Sequence, residues 1–118
     1  MKKAQDAKFA AILSFAYAAG ATAGAAVSPD PMVVSDAARD YFVPDGVCGF
    51  GWVNFPGNTA FGKWARKNGH ARPDYPKGLR ISSKLMTQSL ARNDAWAHRV
   101  AEVLNAHGID ANGYSRID

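Results

Sequence analysis

Residues 47–55 read Val-Cys-Gly-Phe-Gly-Trp-Val-Asn-Phe and form the clearest predicted strand in this chain of 118 residues. Successive side chains of a strand point to opposite faces of its sheet. One face of this strand carries Phe50 and Trp52, and the other carries two glycines together with Val53 and Phe55. Two glycines on one face indicate close packing or a bulge there. We expect Phe50 and Trp52 to be core residues beneath a helix.

Three helices are predicted around this strand, at about residues 3–25, 59–68 and 87–107. The first is rich in alanine and glycine, and the Ser-Pro-Asp-Pro run that contains Pro29 ends it, because proline cannot continue a helix. Asn58 or Thr59 is the expected N-cap of the second helix, and Gly69 its left-handed stop. The third helix has a continuous apolar arc and ends at Gly108, in the pattern of a Schellman motif.

The remaining segments are shorter. Two further strands are predicted at 79–83 and 109–117, a connector with turn signals at 44–46 is predicted at 32–46, and a loop is predicted at 70–78. The resulting order, α-β-α-β-α-β, predicts an α+β fold in which a three-stranded sheet packs with about three helices. The length is that of a single small domain. Within it, we assign residues 1–28 to the Ala-rich helix and residues 29–118 to the compact α/β core.

The positive charge is concentrated in one block. Residues 63–99 hold nine Lys or Arg against two Asp, a local net charge of +7, whereas the whole chain carries +4. Part of this block would be the solvated face of the second helix, but the excess favours an interface for an anionic partner, either nucleic acid or an acidic protein surface. We expect one basic surface that follows a phosphate backbone, with a tyrosine that stacks on a base. Phe50 and Trp52 would also stack on bases in the alternative case, in which their face of the sheet is open. Its predicted residues are Lys63, Arg66, Lys67, Arg72, Tyr75, Lys77, Arg80 and Lys84.

No catalytic or cofactor motif is evident. Cys48 lies in the middle of the predicted strand, which favours a buried structural thiol over a nucleophile. The three histidines and this cysteine lack the spacing of zinc ligands. Asn93 falls within the apolar arc of the third helix, where we expect a buried amide with satisfied hydrogen bonds. We predict no catalytic residue, no metal and no cofactor; a small enzyme with an unrecognised site is an alternative.

The N-terminal segment has some features of a secretory leader. Two lysines precede an uncharged run over 9–27, which ends in small residues. Asp6 and Lys8 lie inside that leader, and the run is weakly apolar for a membrane span. Its apolar residues also share one side of a helix. We therefore favour a core helix over a signal peptide at 1–27, and we expect no membrane span. A single cysteine cannot form an internal disulfide.

Four short stretches together carry a family resemblance. They are Pro31-Met32-Val33-Val34, Gly49-Phe50-Gly51-Trp52-Val53-Asn54, Gln88-Ser89 before an Ala-rich helix, and Tyr114-Ser115-Arg116-Ile117-Asp118. Through these four stretches, residues 29–118 resemble a family of small uncharacterised proteins encoded by bacteriophages and prophages. The resemblance implies an accessory role, as an inhibitor of host defence, a nucleic-acid-associated factor or a minor virion component, in the cytoplasm of a bacterial host. It transfers no catalytic residue to this chain.

These observations predict a non-enzymatic, phage-type accessory protein. It would bind nucleic acid, or a host complex that handles nucleic acid such as a defence system, through the basic surface. The alternative is a structural or assembly protein, either a minor virion component or a homo-oligomer, in which the N-terminal helix packs against a partner subunit. The sequence does not determine whether the nucleic acid is DNA or RNA, what the oligomeric state is, or in which order the strands lie.

Overall fold

The computed structural model describes residues 2–29, 32–35, 40–43 and 46–118. In these ranges the helices are α1 (Lys2–Ala26), α2 (Ala60–Lys67) and α3 (Leu90–Ala106). The strands are β1 (Met32–Ser35), β2 (Asp40–Val43), β3 (Gly49–Phe55), β4 (Arg72–Pro73), β5 (Leu79–Ser82) and β6 (Asn112–Ile117). The fold is α+β, as the sequence predicts.

The main sheet is antiparallel and four-stranded, in the order β4-β5-β3-β6. The predicted sheet of three strands was therefore one strand short. The missing strand, β4, lies in the segment predicted as a loop, and it escaped prediction because it has two residues and ends at Pro73, which has no N–H to extend the ladder. Such a strand is tolerated only at a sheet edge, where β4 lies.

The prediction of a connector at 32–46 is corrected as well, because this segment contains strands. It holds β1 and β2, which pair with each other as a separate antiparallel sheet of two strands. Neither strand alternates apolar and polar positions, since β1 reads Met-Val-Val-Ser and β2 reads Asp-Tyr-Phe-Val. Pro44 and Asp45 of the predicted turn lie outside the described residues, as do Asp30 and Pro31 after the first helix.

One face of the main sheet lies directly against α3. A Cβ atom built on Gly51 would lie 2.3 Å from the carbonyl oxygen of Asn93, and one on Gly113 would lie 2.9 Å from the carbonyl carbon of Ala97. No side chain fits between the two backbones at these points. The close packing that was predicted for the glycine face of β3 is thus confirmed. Val53 and Phe55 share this face and are buried in the core.

The first helix packs mainly on α3, away from the sheet. Its buried residues recur on one side and are Phe9, Ile12, Leu13, Ala16, Gly20 and Gly24. Gly20 lies against Val100 and Trp96, so the glycine lets the two helices approach closely. By length and composition alone, α1 is also apolar enough to cross a membrane, and 33% of its most apolar window is buried inside the fold.

The predicted ends of the shorter helices are largely confirmed. Thr59 Oγ1 accepts a hydrogen bond of 3.0 Å from Gly62 N at the start of α2. At the end of α3, Gly108 has a φ of 78° and Ile109 N donates to Leu104 O at 3.0 Å, which completes a Schellman motif. The third helix begins later than predicted, because Ser89 is its extended N-cap.

Candidate nucleic-acid interface

The sheet face opposite α3 carries exposed aromatic and basic side chains. In the part of the chain that the structure describes, no helix packs on it, and Phe50 and Tyr114 are both 47% exposed. We call this surface the open face. Strand register places on it Phe50, Trp52, Asn54, Arg72, Arg80, Ser82, Asn112, Tyr114 and Arg116.

The positions of Phe50 and Trp52 correct a sequence prediction. Both were expected in the core beneath a helix, and both lie on the open face. The reason is steric: α3 approaches so closely that only the glycine face of β3 can accept it. The large rings are therefore directed to the other side of the sheet.

Two aromatic rings and one guanidinium group form a continuous row across three strands. Trp52 of β3 pairs with Tyr114 of β6, and their rings stack with centroids 5.9 Å apart and planes inclined by 22°. On the other side, Arg80 Cζ lies 4.4 Å from the centroid of the Trp52 ring. That distance is typical of a cation–π contact. The row Tyr114–Trp52–Arg80 is thus an ordered surface of flat groups.

The charge around Arg80 is only partly balanced. Its Nη1 lies 3.7 Å from Asp74 Oδ1. Burial lowers the pKa of Arg80, Asp74 opposes that effect, and the neighbouring Arg72 and Arg116 lower the pKa further. A guanidinium group nevertheless keeps its proton in proteins. The open face therefore places Arg72 and Arg116 close enough to Arg80 to repel its charge, and Asp74 offsets that repulsion.

A cleft at one end of the row is lined mainly by aromatic groups. It has a volume of about 340 Å³ and lies between Trp52, Tyr114, Tyr75 and Lys77. Tyr75 is 92% exposed and stands beside the cleft. Asn54 also lines this cleft, where its Nδ2 donates to Asp74 Oδ2 at 2.7 Å. The cleft offers a planar ligand aromatic surfaces, the cation of Lys77 and the carboxylate of Asp74, which is paired with Asn54.

Two further cavities lie on the basic side of the row. Arg72, Arg80 and Ser82 line both of them. The cavity of about 240 Å³ continues past Phe50, and the cavity of about 290 Å³ continues toward His70 and Lys84. His70 itself stacks on Trp64 of α2, with ring centroids 4.9 Å apart. The end of α2 thus adjoins the basic side of the open face.

The predicted binding residues divide into two groups. Arg72, Tyr75, Lys77, Arg80 and Lys84 line cavities on or beside the open face. The other three lie on the exposed side of α2, which packs on the covered side of the sheet, and they line none of these three cavities; they are Lys63, Arg66 and Lys67.

The aromatic half of this surface was predicted only as an alternative, in which Phe50 and Trp52 stack on bases if their face of the sheet is open. Trp52, Tyr114 and Arg116 were not assigned to the predicted binding surface, although β3 alternates glycine with aromatic residues. A helix can approach a sheet closely only on a side without bulk, so that alternation was the available signal. Tyr114 and Arg116 gave no comparable signal, because only the register of β6 against β3 places them beside Trp52 and Phe50.

The structure also places Cys48 and Asn93, for which the sequence predicts a buried thiol and a buried amide. Cys48 is exposed, not buried as predicted, because it precedes β3 and forms only an isolated bridge with Ser89. Asn93 is 4% exposed, and its Nδ2 donates to Gly49 O at 3.1 Å, which confirms the buried, satisfied amide. Its Oδ1 accepts from Ser83 Oγ at 2.7 Å. No group of three or more His, Cys, Asp or Glu side chains in the described ranges is arranged to hold a metal ion.

Comparison of the chain with known protein families, with curated proteins and with solved structures gives no match. The interpretation of the open face therefore depends on its own chemistry. Exposed rings stack on flat ligands, and guanidinium groups bind phosphate through paired hydrogen bonds. The combination suits a ligand that is both planar and anionic.

Proposed function

We propose that this protein binds single-stranded nucleic acid without catalysing a reaction, and that the open face is its binding surface. The observation that carries the proposal is the row Tyr114–Trp52–Arg80 on a sheet face that no described helix covers. Aromatic side chains on such a four-stranded sheet stack on two or three unpaired bases. Basic residues at both ends of the row supply charge for the backbone.

The geometry favours a single strand over a duplex. Bases in a duplex are stacked on one another, and their flat surfaces are not available to a protein ring. A flat sheet also lacks the projecting helix or ribbon that enters a major groove. The rings of Trp52 and Tyr114 suit bases that are already unpaired, and such stacking tolerates different sequences.

The accessory role implied by the phage-type resemblance forms part of the same proposal. A small protein that covers a single strand withholds that strand from nucleases, or presents it to a host complex that handles nucleic acid. Both actions belong in the bacterial cytoplasm. The phage-type context and this location are proposals that depend on the resemblance over residues 29–118.

The first test is a titration with single-stranded DNA, single-stranded RNA and duplex DNA, each of about 20 nucleotides to exceed one binding site. Trp52 is the partly exposed tryptophan, whereas Trp64 and Trp96 are buried, so quenching of tryptophan emission reports on the open face. We expect saturable quenching by single strands that weakens between about 50 mM and about 200 mM salt.

Two results would overturn the proposal. Equal affinity for duplex and single strands would refute the single-strand preference. An absence of binding at low salt would refute nucleic-acid binding, and would leave an acidic protein surface as the partner for the same cations. Trp52→Phe is the matched control for Trp52→Ala. Both variants lose the emission of Trp52, but only Trp52→Phe keeps an aromatic ring at that position on the sheet.

A structural or assembly role is the second candidate. It is favoured by Phe15, which is 60% exposed on the side of α1 that faces away from the core. An isolated apolar ring beside exposed alanines suits a contact with another subunit. In that case Phe15→Glu lowers the mass measured by light scattering, with Ser14→Glu as the control. A monomer at every concentration would remove this candidate.

A further inference from the structure

Arg72 and Arg80 form the wall between the two basic cavities. They lie opposite each other in the register of β4 and β5, so both side chains project from the same side of the sheet. Together with Ser82 they line the cavity of about 240 Å³ and the cavity of about 290 Å³. Two guanidinium groups and a hydroxyl thus line the same two cavities from neighbouring strands.

Arg80 has an unused hydrogen-bond donor. Its Cζ lies 4.4 Å from the centroid of the Trp52 ring, and its Nη1 lies 3.7 Å from Asp74 Oδ1. Its Nε is buried, and no acceptor among the described residues lies within hydrogen-bond distance. A buried donor without a partner is unfavourable. A ligand oxygen would satisfy this Nε–H once the guanidinium group turns to expose it.

The charges decide which cavity takes an anion. Asp74 is the carboxylate nearest Arg80, and it already accepts hydrogen bonds from Asn54 Nδ2 and from Tyr75 N. The cavity of about 240 Å³ is also lined by Asp118, which repels an anion. The cavity of about 290 Å³ has no carboxylate in its lining and adds His70 and Lys84.

We infer that the cavity lined by Arg72, Arg80, Ser82 and Lys84 binds a phosphate group of the nucleic-acid strand. The inference depends on the proposed function and specifies how the strand is held. Because Arg80 touches both this cavity and the Trp52 ring, a phosphate here places its neighbouring base beside the Trp52–Tyr114 pair. The next base along the strand then meets the Tyr75 cleft.

The first experiment compares Arg72→Gln with Lys67→Gln. Both variants lose one positive charge, but Lys67 lies on the exposed side of α2 and lines none of the three cavities. We expect Arg72→Gln to weaken binding of single-stranded DNA by about tenfold and to reduce the slope of log K against log salt by about 0.7. The loss for Lys67→Gln should stay below about twofold, since Lys67 lines none of these cavities and its exposed charge acts only through a screened field.

The second experiment uses inorganic phosphate alone. The Nε–H resonance of Arg80 is assigned by its disappearance in Arg80→Lys, and we expect phosphate to shift it in the unaltered protein and not in Arg72→Gln. Oligonucleotides with and without a 5′ phosphate then separate the sources of the group. Tighter binding of the phosphorylated strand indicates a terminal phosphate, and equal binding indicates an internal phosphodiester.

The failures of the two proposals are distinguishable. If oligonucleotides bind, but Arg72→Gln behaves like Lys67→Gln and phosphate leaves the Arg80 resonance unmoved, the phosphate site is refuted and the proposed function stands. If no oligonucleotide binds at low salt, the proposed function is refuted, and with it the assignment of the phosphate to a nucleic-acid strand.

Discussion

Gly51 lies so close to Asn93 that a Cβ atom added to the glycine would stand 2.3 Å from the Asn93 carbonyl oxygen. This contact joins the central strand of the sheet to the backbone of α3 without any intervening side chain. It determines which face of the sheet is covered, and therefore which face presents its rings to solvent.

Substitution Gly51→Ala should be strongly destabilising. The added methyl group meets the backbone of a regular helix, which cannot yield as a side chain can. Overpacking of this kind typically costs about 1–3 kcal/mol, and we expect the upper end of that range or more. The measurement is the midpoint of urea unfolding followed by circular dichroism.

Gly57→Ala is the matched control for that prediction. A Cβ atom at Gly57 would lie 3.3 Å from Cγ of Leu79, so a shift of a few tenths of an ångström in a side chain relieves the contact and no backbone has to move. We expect a loss of less than about 1 kcal/mol. Equal losses for the two variants would contradict the tight contact between β3 and α3.

The same contact shows how far sequence reasoning reaches here. The helix periodicity, the caps at Thr59 and Gly108 and the alternation of β3 are local signals, and each predicted its element well. Which face of β3 lies under a helix depends on packing between distant segments, and the size of Phe50 and Trp52 suggested the wrong answer. Hydrophobic bulk normally indicates burial, but backbone-to-backbone approach overrides it.

For a related reason, only the basic part of the candidate site could be predicted from the sequence. The basic residues on the loop and on β5 could be found from charge density along the sequence. Tyr114 and Arg116 are far from them in sequence, and only the antiparallel pairing of β6 with β3 brings them alongside. The three cations of α2 share the charge density but lie on the other side of the sheet, because a helix after β3 packs against Phe55.

Loss of either stacked ring should weaken binding of single strands. Stacking on a protein ring contributes about 1–3 kcal/mol per base, so Trp52→Ala and Tyr114→Ala should each reduce affinity by about 5- to 150-fold. Anisotropy of a labelled oligonucleotide measures this without tryptophan emission. Phe15→Ala removes an exposed ring from α1 and should leave affinity unchanged. Similar losses in all three variants would show that the open face has no special role.

Arg92 should be important for stability although it lies in the basic block. Its Nη1 donates to Gly24 O at 3.0 Å and to Ala25 O at 3.3 Å, at the C-terminus of α1. That last turn has no basic residue of its own, so Arg92 supplies the positive charge that complements the helix dipole.

Hydrogen bonds from a charged donor contribute about 1.5–3 kcal/mol, and we expect Arg92→Gln to lose an amount in that range. The exposed Arg99 on the same helix is the control, and Arg99→Gln should change the free energy of unfolding by less than about 0.5 kcal/mol. Chemical denaturation compares the two. A larger loss for Arg99→Gln would contradict the capping role.

Tyr17 should make the fold sensitive to alkaline pH. Its ring stacks on Trp96, and burial raises its pKa from 10.0 to about 12. The unfolded chain therefore releases this proton at a lower pH than the folded protein does. The stabilising difference is complete below pH 10 and is lost as pH rises through about 12. We expect the urea midpoint to fall more steeply over this interval than in Tyr17→Phe.

Tyr17→Phe should also be at least as stable as the unaltered protein at neutral pH. The Tyr17 hydroxyl is buried and has no hydrogen-bond partner among the described residues. Removal of an unsatisfied polar atom is neutral or favourable, by up to about 1 kcal/mol. A marked loss of stability at neutral pH would show that the hydroxyl has a partner.

The packing of α1 on α3 has a consequence for synthesis of the chain. The helix at Lys2–Ala26 is synthesised well before Leu90–Ala106, the helix that buries its apolar side. At about 5–20 residues per second, several seconds separate the two. During that interval the nascent chain presents an apolar segment, open to chaperones and targeting factors, until translation supplies the partner that covers it.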